Sequence, residues 1–239
     1  MDEQKDSNIE LIPTRSIYAP ADNHSKFEFL DSLIKDLWQG REIKKILLVT
    51  PPDGDSSLFR KDTALRKRYA NYPPYGSLCL ASHLRKIGIE VSILNLNNII
   101  LKVCRENPDD FEFDCTWRSA LEESIANFAP DFIGVTCMFT MTHQSFKKVC
   151  LAIGEGDIPM ALGGVHVTND WKAVMHDIPA ASFAFLREGE ISFAKFCQYV
   201  NGTRSQGAIC QLVARDIRKN ISVEFDSEAL PKARSEEHT

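Results

Sequence analysis

The chain has 239 residues, of which 44% are hydrophobic and 26% charged, a composition typical of globular proteins with a buried core. Its net charge of −5 argues against a nucleic-acid-binding protein that works by neutralising phosphates. No apolar run approaches the roughly 18–20 residues that span a bilayer, and the acidic N-terminus does not resemble a secretory signal. We therefore expect a cytoplasmic protein with no membrane span and no nucleic-acid partner.

The seven cysteines lie scattered in apolar surroundings, which favours reduced thiols over a disulfide framework. No CxxC or CxxxCxxC pattern occurs, so the sequence encodes neither a structural zinc site nor a cysteine-held iron–sulfur cluster. We expect no metal ligands and no catalytic residue in this chain.

Residues 1–42 are predicted to form a leader and an amphipathic helix. Residues 1–24 show no periodicity, and Gly40 ends the helical pattern that follows them. A helix packed on the main domain is favoured over a membrane-surface helix, because its polar face is not strongly basic. Its apolar stripe consists of Phe27, Leu30, Ile34 and Leu37.

Five short apolar runs follow, separated by helical patterns. Most are apolar at consecutive positions, as expected of strands buried on both faces of a sheet. They are Lys45–Thr50, Ile89–Asn95, Asp131–Cys137, Ile158–Leu162 and Ser182–Leu186. Alternation of strands and helices requires right-handed crossovers, so residues 43–202 are predicted to form an α/β domain with a doubly wound, five-stranded parallel sheet of the flavodoxin-like or Rossmann-like type.

The pattern changes after residue 202. Ile209–Ala214 and Ile221–Phe225 predict a C-terminal β-hairpin, so residues 203–233 are interpreted as hairpin and linker. Residues 234–239 resemble the translation of a common sequencing adapter and are expected to be a non-native tail.

In an open parallel sheet, ligands bind at the carboxyl ends of the strands, so the segments after each strand are candidates for a site. After the first strand, Thr50 and Pro51 open a connection of roughly 25 residues that leads to Tyr75 and Gly76. Its basic residues are predicted to form a solvated face, with contact to a ligand phosphate or carboxylate as the alternative; they are Arg60, Lys61, Arg66, Lys67 and Arg68.

The segment after the third strand combines apolar side chains with threonine hydroxyls at the positive end of the next helix. The alternative is that Met138 and Met141 belong to the core. The candidate site residues here are Thr136, Cys137, Met138, Phe139 and Thr140.

Two further segments follow the fourth and fifth strands. Gly163 and Gly164 indicate a sharp turn or a place where a bulky ligand touches backbone. His166 follows them, and both a ligand contact and a hydrogen bond within its own loop remain open. Glu188 and Gly189 begin a helix. The carboxylate of Glu188 there is explained equally well by a favourable interaction with the helix dipole and by a contact with a ligand.

Several enzyme templates are absent from the sequence. No GxGxxG, Walker A or GxSxG pattern occurs. A response regulator would need an aspartate after the third strand and a lysine after the fifth, where Cys137 and Arg187 stand.

Five segments together resemble the N-terminal cobalamin-binding domain of B12-dependent radical S-adenosylmethionine enzymes. They occur in that family's order and spacing and cover most of residues 43–202. They are KILLVTPP (45–52), YPPYGSLCLASHLRKIGIEVSILN (72–95), PDFIGVTCMFT (130–140), IPMALGGVHVTND (158–170) and REGEISF (187–193).

The resemblance implies that the corrin ring of cobalamin lies across the carboxyl ends of the strands, with the nucleotide tail between sheet and helix. It implies corrin contacts from the segment that ends at Tyr75 and Gly76 and from residues 136–140. Residues 163, 164 and 166 would border the tail or the corrin edge, and residues 188–190 would complete the rim.

Two departures from the family qualify the resemblance. Other cobalamin domains, such as those of methionine synthase and the mutases, carry DxHxxG after the first strand, and its histidine ligates cobalt. No histidine occurs between Thr50 and Gly76, so we expect base-off, His-off cobalamin. The cluster-binding CxxxCxxC is also missing, so S-adenosylmethionine and the [4Fe–4S] cluster are expected only in a downstream radical domain, in cis beyond Glu228–Ala233.

The resemblance therefore implies the front part of an enzyme, often a methyltransferase, that does not catalyse alone. The alternatives are a cofactor-free interaction or sensory domain of the same fold and a flavodoxin-like binder of another flat cofactor, such as flavin. If backbone packs against cobalamin at Gly164, a Gly164→Leu variant is expected to fold and to lose the cofactor.

Overall fold

The computed structural model describes residues 17–18, 22–203, 209–216, 218 and 221–225. Most of the predicted leader, the linker residues 226–233 and the predicted tail 234–239 lie outside these described residues. Within the described ranges, no helix is long and apolar enough to cross a membrane.

Helices and strands alternate through most of the described chain. The helices are α1 (Asn23–Trp38), α2 (Lys61–Leu65), α3 (Tyr75–Lys86), α4 (Leu96–Glu106), α5 (Phe113–Phe128), α6 (His143–Gly154), α7 (Val165–Asn169), α8 (Trp171–Asp177) and α9 (Gly189–Val200). The strands are β1 (Ile17–Tyr18), β2 (Lys45–Thr50), β3 (Glu90–Asn95), β4 (Phe132–Thr136), β5 (Met160–Gly163), β6 (Phe183–Phe185), β7 (Leu212–Asp216) and β8 (Ile221–Phe225).

The strands form one sheet in the order β1-β8-β7-β6-β5-β4-β2-β3. The five predicted strands are β2 to β6, and every pairing among them is parallel. Their spatial order, β3-β2-β4-β5-β6, is the order of flavodoxin-like proteins, and the direction in which successive strands are added to the sheet reverses between β2 and β4. The predicted doubly wound α/β class is confirmed, and the reversal point marks where a ligand is expected.

The predicted count of five strands is wrong, because the sheet continues beyond β6. Strand β7 pairs antiparallel with β6, β8 pairs antiparallel with β7, and Ile17–Tyr18 of the predicted leader adds β1 parallel to β8. Without β7, the backbone N–H and C=O groups on the outer edge of β6 would have no partner strand. The predicted hairpin is present, although its first strand begins at Leu212 instead of Ile209.

Helices cover both faces of the sheet, because side chains alternate along each strand. On β2, Ile46 and Leu48 belong to the core under α1, α3 and α9, whereas Leu47 and Val49 belong to the core under α4 to α8. The predicted amphipathic helix α1 packs into the first of these cores.

Arg215 ties the C-terminal hairpin to the segment that follows α8. Its guanidinium is buried and donates hydrogen bonds to the backbone carbonyls of Met175, Ile178, Pro179 and Ala181. Burial lowers the pKa of Arg215 to about 10, so the side chain stays charged at neutral pH. The carbonyl oxygens therefore take the place of a carboxylate partner in satisfying the buried charge.

Replacing Arg215 with methionine is expected to lower the free energy of unfolding by about 3 kcal/mol or more, because several buried carbonyls lose their donors at about 1–3 kcal/mol each. Urea unfolding measures this loss. Arg218→Met is the matched control, because Arg218 is exposed on the same hairpin and its loss should cost less than about 0.5 kcal/mol. Equal stability of the two variants would contradict the role given to Arg215.

Candidate functional site

A cavity of about 420 Å³ opens at the carboxyl edge of the sheet, between the sheet and helices α3 and α9. Its floor is made by small residues on the sheet face that these helices cover, namely Gly134 on β4 and Ala161 and Gly163 on β5. The cavity exists because these positions lack the large side chains that fill the rest of the face. Its apolar walls are formed by Leu48, Leu80, Phe185 and Phe193.

The cavity has room for a side chain at position 163, where the protein carries glycine. A Cβ atom at Gly163 would have only the carbonyl oxygen of Phe185 nearby, at 3.8 Å. A Cβ atom at Gly134 would lie 3.0 Å from Cδ2 of Leu48. A volume of this size lies within the range of about 300–1,000 Å³ that small-molecule sites occupy.

Gly164 serves a different purpose, because the backbone around it leaves no room for a side chain. Its φ of 101° and ψ of 173° lie in a region that glycine alone adopts readily. A Cβ atom there would lie 2.4 Å from the carbonyl oxygen of Cys137, which also accepts a hydrogen bond from the backbone N–H of His166. The expectation that Gly164→Leu folds normally is therefore wrong.

Part of the predicted site set lines the cavity. These residues are Gly76, Thr136, Met138, Gly163, Gly164, Glu188 and Gly189. Gly76 and Gly189 lie in the first turns of α3 and α9, so both helices direct the positive ends of their dipoles toward the cavity mouth.

Two other predicted residues, Tyr75 and Phe139, are exposed and do not line the cavity. Tyr75 and Phe139 are 66% and 51% exposed, respectively. Met138 and Met141 are 56% and 79% exposed, so the alternative that these methionines belong to the core is wrong. The mouth is thus flanked by exposed apolar side chains on α3 and on the segment after β4, which is how a surface that holds a large flat ligand would be built.

Cys137 points away from the cavity. Its side chain is buried in the core under α4 to α8, and its Sγ lies 3.4 Å from Oγ1 of Thr142. Burial raises the pKa of the Cys137 thiol above its ordinary value, so the thiol remains protonated at neutral pH. The residue contributes to the site through its backbone carbonyl.

Thr50 and Pro51 end β2 next to the reversal point of the sheet and do not line the cavity. The Oγ1 atom of Thr50 is buried and has no hydrogen-bond partner in the described part of the chain. A buried hydroxyl without a partner is costly, and a polar group of a ligand at the strand end would satisfy it.

The connection after β2 folds against the opposite side of the sheet. Phe59 stacks on Tyr69, with ring centroids 5.4 Å apart, and also contacts Phe111 and Phe113. The five basic residues of this connection are all exposed, in agreement with the predicted solvated face.

His166 belongs to a chain of hydrogen bonds that starts at the rim of the site. Its Nδ1 lies 3.2 Å from Oγ1 of Thr140, and its Nε2 lies 2.9 Å from Nδ1 of His143. Nε2 of His143 lies 3.0 Å from Oδ2 of Asp177. Both ring nitrogens of His166 are therefore engaged within the protein, which favours the hydrogen-bonding alternative over contact with a ligand.

Sequence reasoning missed several residues that line the cavity. They are Leu48, Ser77, Leu80, Gly134, Val135, Ala161, Leu162, Val165, Thr168, Phe185, Arg187 and Phe193. Gly134 could have been found, because an isolated glycine inside a strand often marks a close approach of ligand or backbone. The helix residues carried no such signal, because apolar and small side chains at helical spacing also fit an ordinary core.

The described residues hold no group of three histidine, cysteine, aspartate or glutamate side chains that could bind a metal ion. The B12 binding domain family matches residues 62–196, which is more than half of the chain. The chain belongs to this family. The resemblance deduced from the five sequence segments is confirmed.

Two known proteins extend the comparison. Cytidylyl-2-hydroxyethylphosphonate methyltransferase of Streptomyces wedmorensis is 27% identical over 205 residues, which cover 82% of this chain and 36% of that enzyme. The cobalamin-dependent S-adenosylmethionine radical enzyme OxsB, solved with aqua-cobalamin and S-adenosylmethionine bound, is 14% identical with a TM-score of 0.52. The match covers 79% of this chain and 23% of OxsB. The second likeness supports the fold of the cobalamin domain.

Proposed function

We propose that this cobalamin domain holds its cofactor in the base-off, His-off form, with the nucleotide tail in the cavity between the sheet and helices α3 and α9. The observation that carries the proposal is the row of small residues Gly134, Ala161 and Gly163 beneath an open volume of about 420 Å³. Apolar walls suit the flat benzimidazole base of the tail, and the two helix N-termini at the mouth suit its phosphate.

The corrin ring would lie over the carboxyl edge of the sheet, against the exposed apolar side chains of Tyr75, Met138 and Phe139. Bound cobalamin supplies a cobalt ion that can carry a methyl group. The protein's own residues position that cofactor and exclude water from its tail.

The histidine positions support the His-off form. The connection between Thr50 and Gly76 contains no histidine. His166 and His143 lie near the mouth, but each has both ring nitrogens within hydrogen-bond distance of a protein atom. Neither imidazole is free to ligate cobalt without breaking this chain of contacts.

We further propose that the domain works together with a downstream radical domain that holds S-adenosylmethionine and a [4Fe–4S] cluster, and that the whole enzyme transfers methyl groups. The 27% identity to cytidylyl-2-hydroxyethylphosphonate methyltransferase supports this proposal, and the chain spans about a third of that enzyme's length. The cobalamin domain alone would bind the cofactor without turning over a substrate.

Cofactor binding is tested by titrating the chain with hydroxocobalamin, and in parallel with FMN, followed by gel filtration and absorbance. We expect one cobalamin per chain and no FMN. After reduction to Co(II), the electron paramagnetic resonance spectrum should lack the extra splitting that an axial nitrogen produces. FMN binding without cobalamin would support the flavodoxin-like alternative, binding of neither would support a cofactor-free domain, and nitrogen splitting would contradict the base-off, His-off form.

A further inference from the structure

The chain of contacts from Thr140 to Asp177 has only one hydrogen-bonding pattern when both imidazoles are neutral. The pKa of Asp177 is lowered, chiefly by its hydrogen bond with His143, so the carboxylate is ionised and accepts the proton on Nε2 of His143. Nδ1 of His143 must then accept from Nε2–H of His166. Nδ1 of His166 in turn accepts from the hydroxyl of Thr140.

The same four residues accommodate one additional proton without losing a hydrogen bond. With both nitrogens of His143 protonated, Nδ1–H of His143 donates to Nε2 of His166, and His166 becomes the Nδ1–H tautomer that donates to Thr140. The positive charge then lies beside the carboxylate of Asp177. A second additional proton would place two N–H groups against each other between the rings. The four residues therefore take up one additional proton and not two.

We propose that Thr140, His166, His143 and Asp177 form a proton relay that connects solvent to the rim of the cobalamin site. A proton given to Oγ1 of Thr140 by a group above the rim displaces the hydroxyl proton onto Nδ1 of His166. The proton on Nε2 of His166 moves to Nδ1 of His143, and Asp177 stabilises the resulting imidazolium. The protons balance, because Thr140 and His166 each give up one proton as they receive one, and His143 keeps the additional proton.

The surroundings of the relay suit this role. His166 is 8% exposed, and its pKa is lowered, first by burial and then by His143, which keeps it neutral while it passes the proton. Asp170 acts in the opposite direction on His166. At the other end, the side chain of Asp177 is 40% exposed, so this end exchanges protons with solvent.

Two other charged or titratable groups face the outer end of the relay. Nζ of Lys147 lies 3.5 Å from Oδ2 of Asp177, and Nδ1 of His176 lies 3.6 Å from Oδ1 of the same carboxylate. Positive charge on either group weakens the electrostatic stabilisation that Asp177 gives to an imidazolium at His143. Thr140 itself is exposed at the inner end, in the segment after β4 that also carries the exposed Met138.

The placement of the relay at a cofactor site depends on the proposed function, but its proton chemistry is tested without cobalamin. Nitrogen NMR of histidine-labelled chain, titrated from about pH 8 to about pH 5.5, reports the tautomer of each ring. We expect His166 to change from the Nε2–H to the Nδ1–H tautomer in the same step in which His143 becomes charged. A His166 that keeps its tautomer, or that becomes an imidazolium in that step, would overturn the proposal.

The effect of substitutions on the tautomer change of His166 distinguishes a proton relay from hydrogen bonds that only stabilise the fold. Asp177→Asn removes the charge that would stabilise the imidazolium of His143 and should move the tautomer change of His166 to lower pH. His176→Gln is the matched control, because it removes another neighbour of Asp177 that is not part of the relay. Thr140→Val should suppress the Nδ1–H tautomer of His166, and Thr140→Ser should restore it. Identical titrations in Thr140→Val and the unchanged chain would also overturn the proposal.

Discussion

Replacing Gly163 with leucine is expected to weaken cobalamin binding at least about 100-fold, or about 2.8 kcal/mol. The backbone at Gly163 accepts a side chain, because the nearest atom to an added Cβ is the carbonyl oxygen of Phe185 at 3.8 Å. The new side chain would point into the cavity and occupy the volume that we assign to the nucleotide tail. Absorbance titration with hydroxocobalamin measures the loss.

Two controls isolate this effect. Gly156→Leu adds the same side chain at an exposed position before β5, at the opposite edge of the sheet, and should bind cobalamin normally. Cobinamide, which lacks the nucleotide tail, should bind the Gly163→Leu variant within about threefold of its affinity for the unchanged chain. Unaltered cobalamin binding by a folded Gly163→Leu variant would contradict the assignment of the cavity.

Replacing Gly164 with alanine is expected to lower the free energy of unfolding by about 3 kcal/mol or more. The backbone region of Gly164 is strained by about 1–3 kcal/mol for any other residue. The added Cβ would also overlap the carbonyl oxygen of Cys137, at 2.4 Å. Relief requires the β4 segment to move away from the start of α7, which would break the hydrogen bond from the His166 N–H to Cys137.

The neighbouring glycine supplies the control for this second prediction. Gly163→Ala meets no atom closer than 3.8 Å and has no positive φ, so its unfolding midpoint in urea should match that of the unchanged chain. Equal stability of Gly164→Ala and Gly163→Ala would show that the backbone at Gly164 does not require glycine.

The glycine pair shows what sequence could and could not predict about the site. Two glycines after a strand indicated a functional turn, and residues 163 and 164 do line the cavity. Their different roles depend on what lies opposite each Cβ position. The neighbouring atoms are set by the pairing of β4 with β5 and by the position of the Cys137 backbone after β4. No local sequence pattern contains this information.

The parallel pairing of the five strands was readable from the sequence, but their order and the full extent of the sheet were not. Runs such as Lys45–Thr50 are apolar at consecutive positions, which is the pattern of strands buried on both faces. The two-residue strand Ile17–Tyr18 is too short to produce any periodicity, and it exists because β8 offers an open edge. Pairing between β6 and β7 is likewise a tertiary contact that the hairpin pattern alone does not reveal.

Helix α4 was missed for a local reason. It begins directly after β3, and Asn95 both ends the strand and caps the helix by accepting a hydrogen bond from the Asn98 N–H. The predicted strand ends at Asn95, and because no turn residues follow it, the sequence gives no separate signal for the start of the helix. The contacts of the proposed relay were missed because His166 and Asp177 lie 23 and 34 positions from His143, and only the fold brings these side chains together.

The most direct test of the central claim compares two ligands on the unchanged chain. Cobalamin and cobinamide share the corrin ring, but only cobalamin carries the nucleotide tail that we place between the sheet and helices α3 and α9. We expect cobalamin to bind at least about 100-fold more tightly than cobinamide, because the tail fills the cavity above Gly134, Ala161 and Gly163. Equal dissociation constants for the two ligands would contradict that placement.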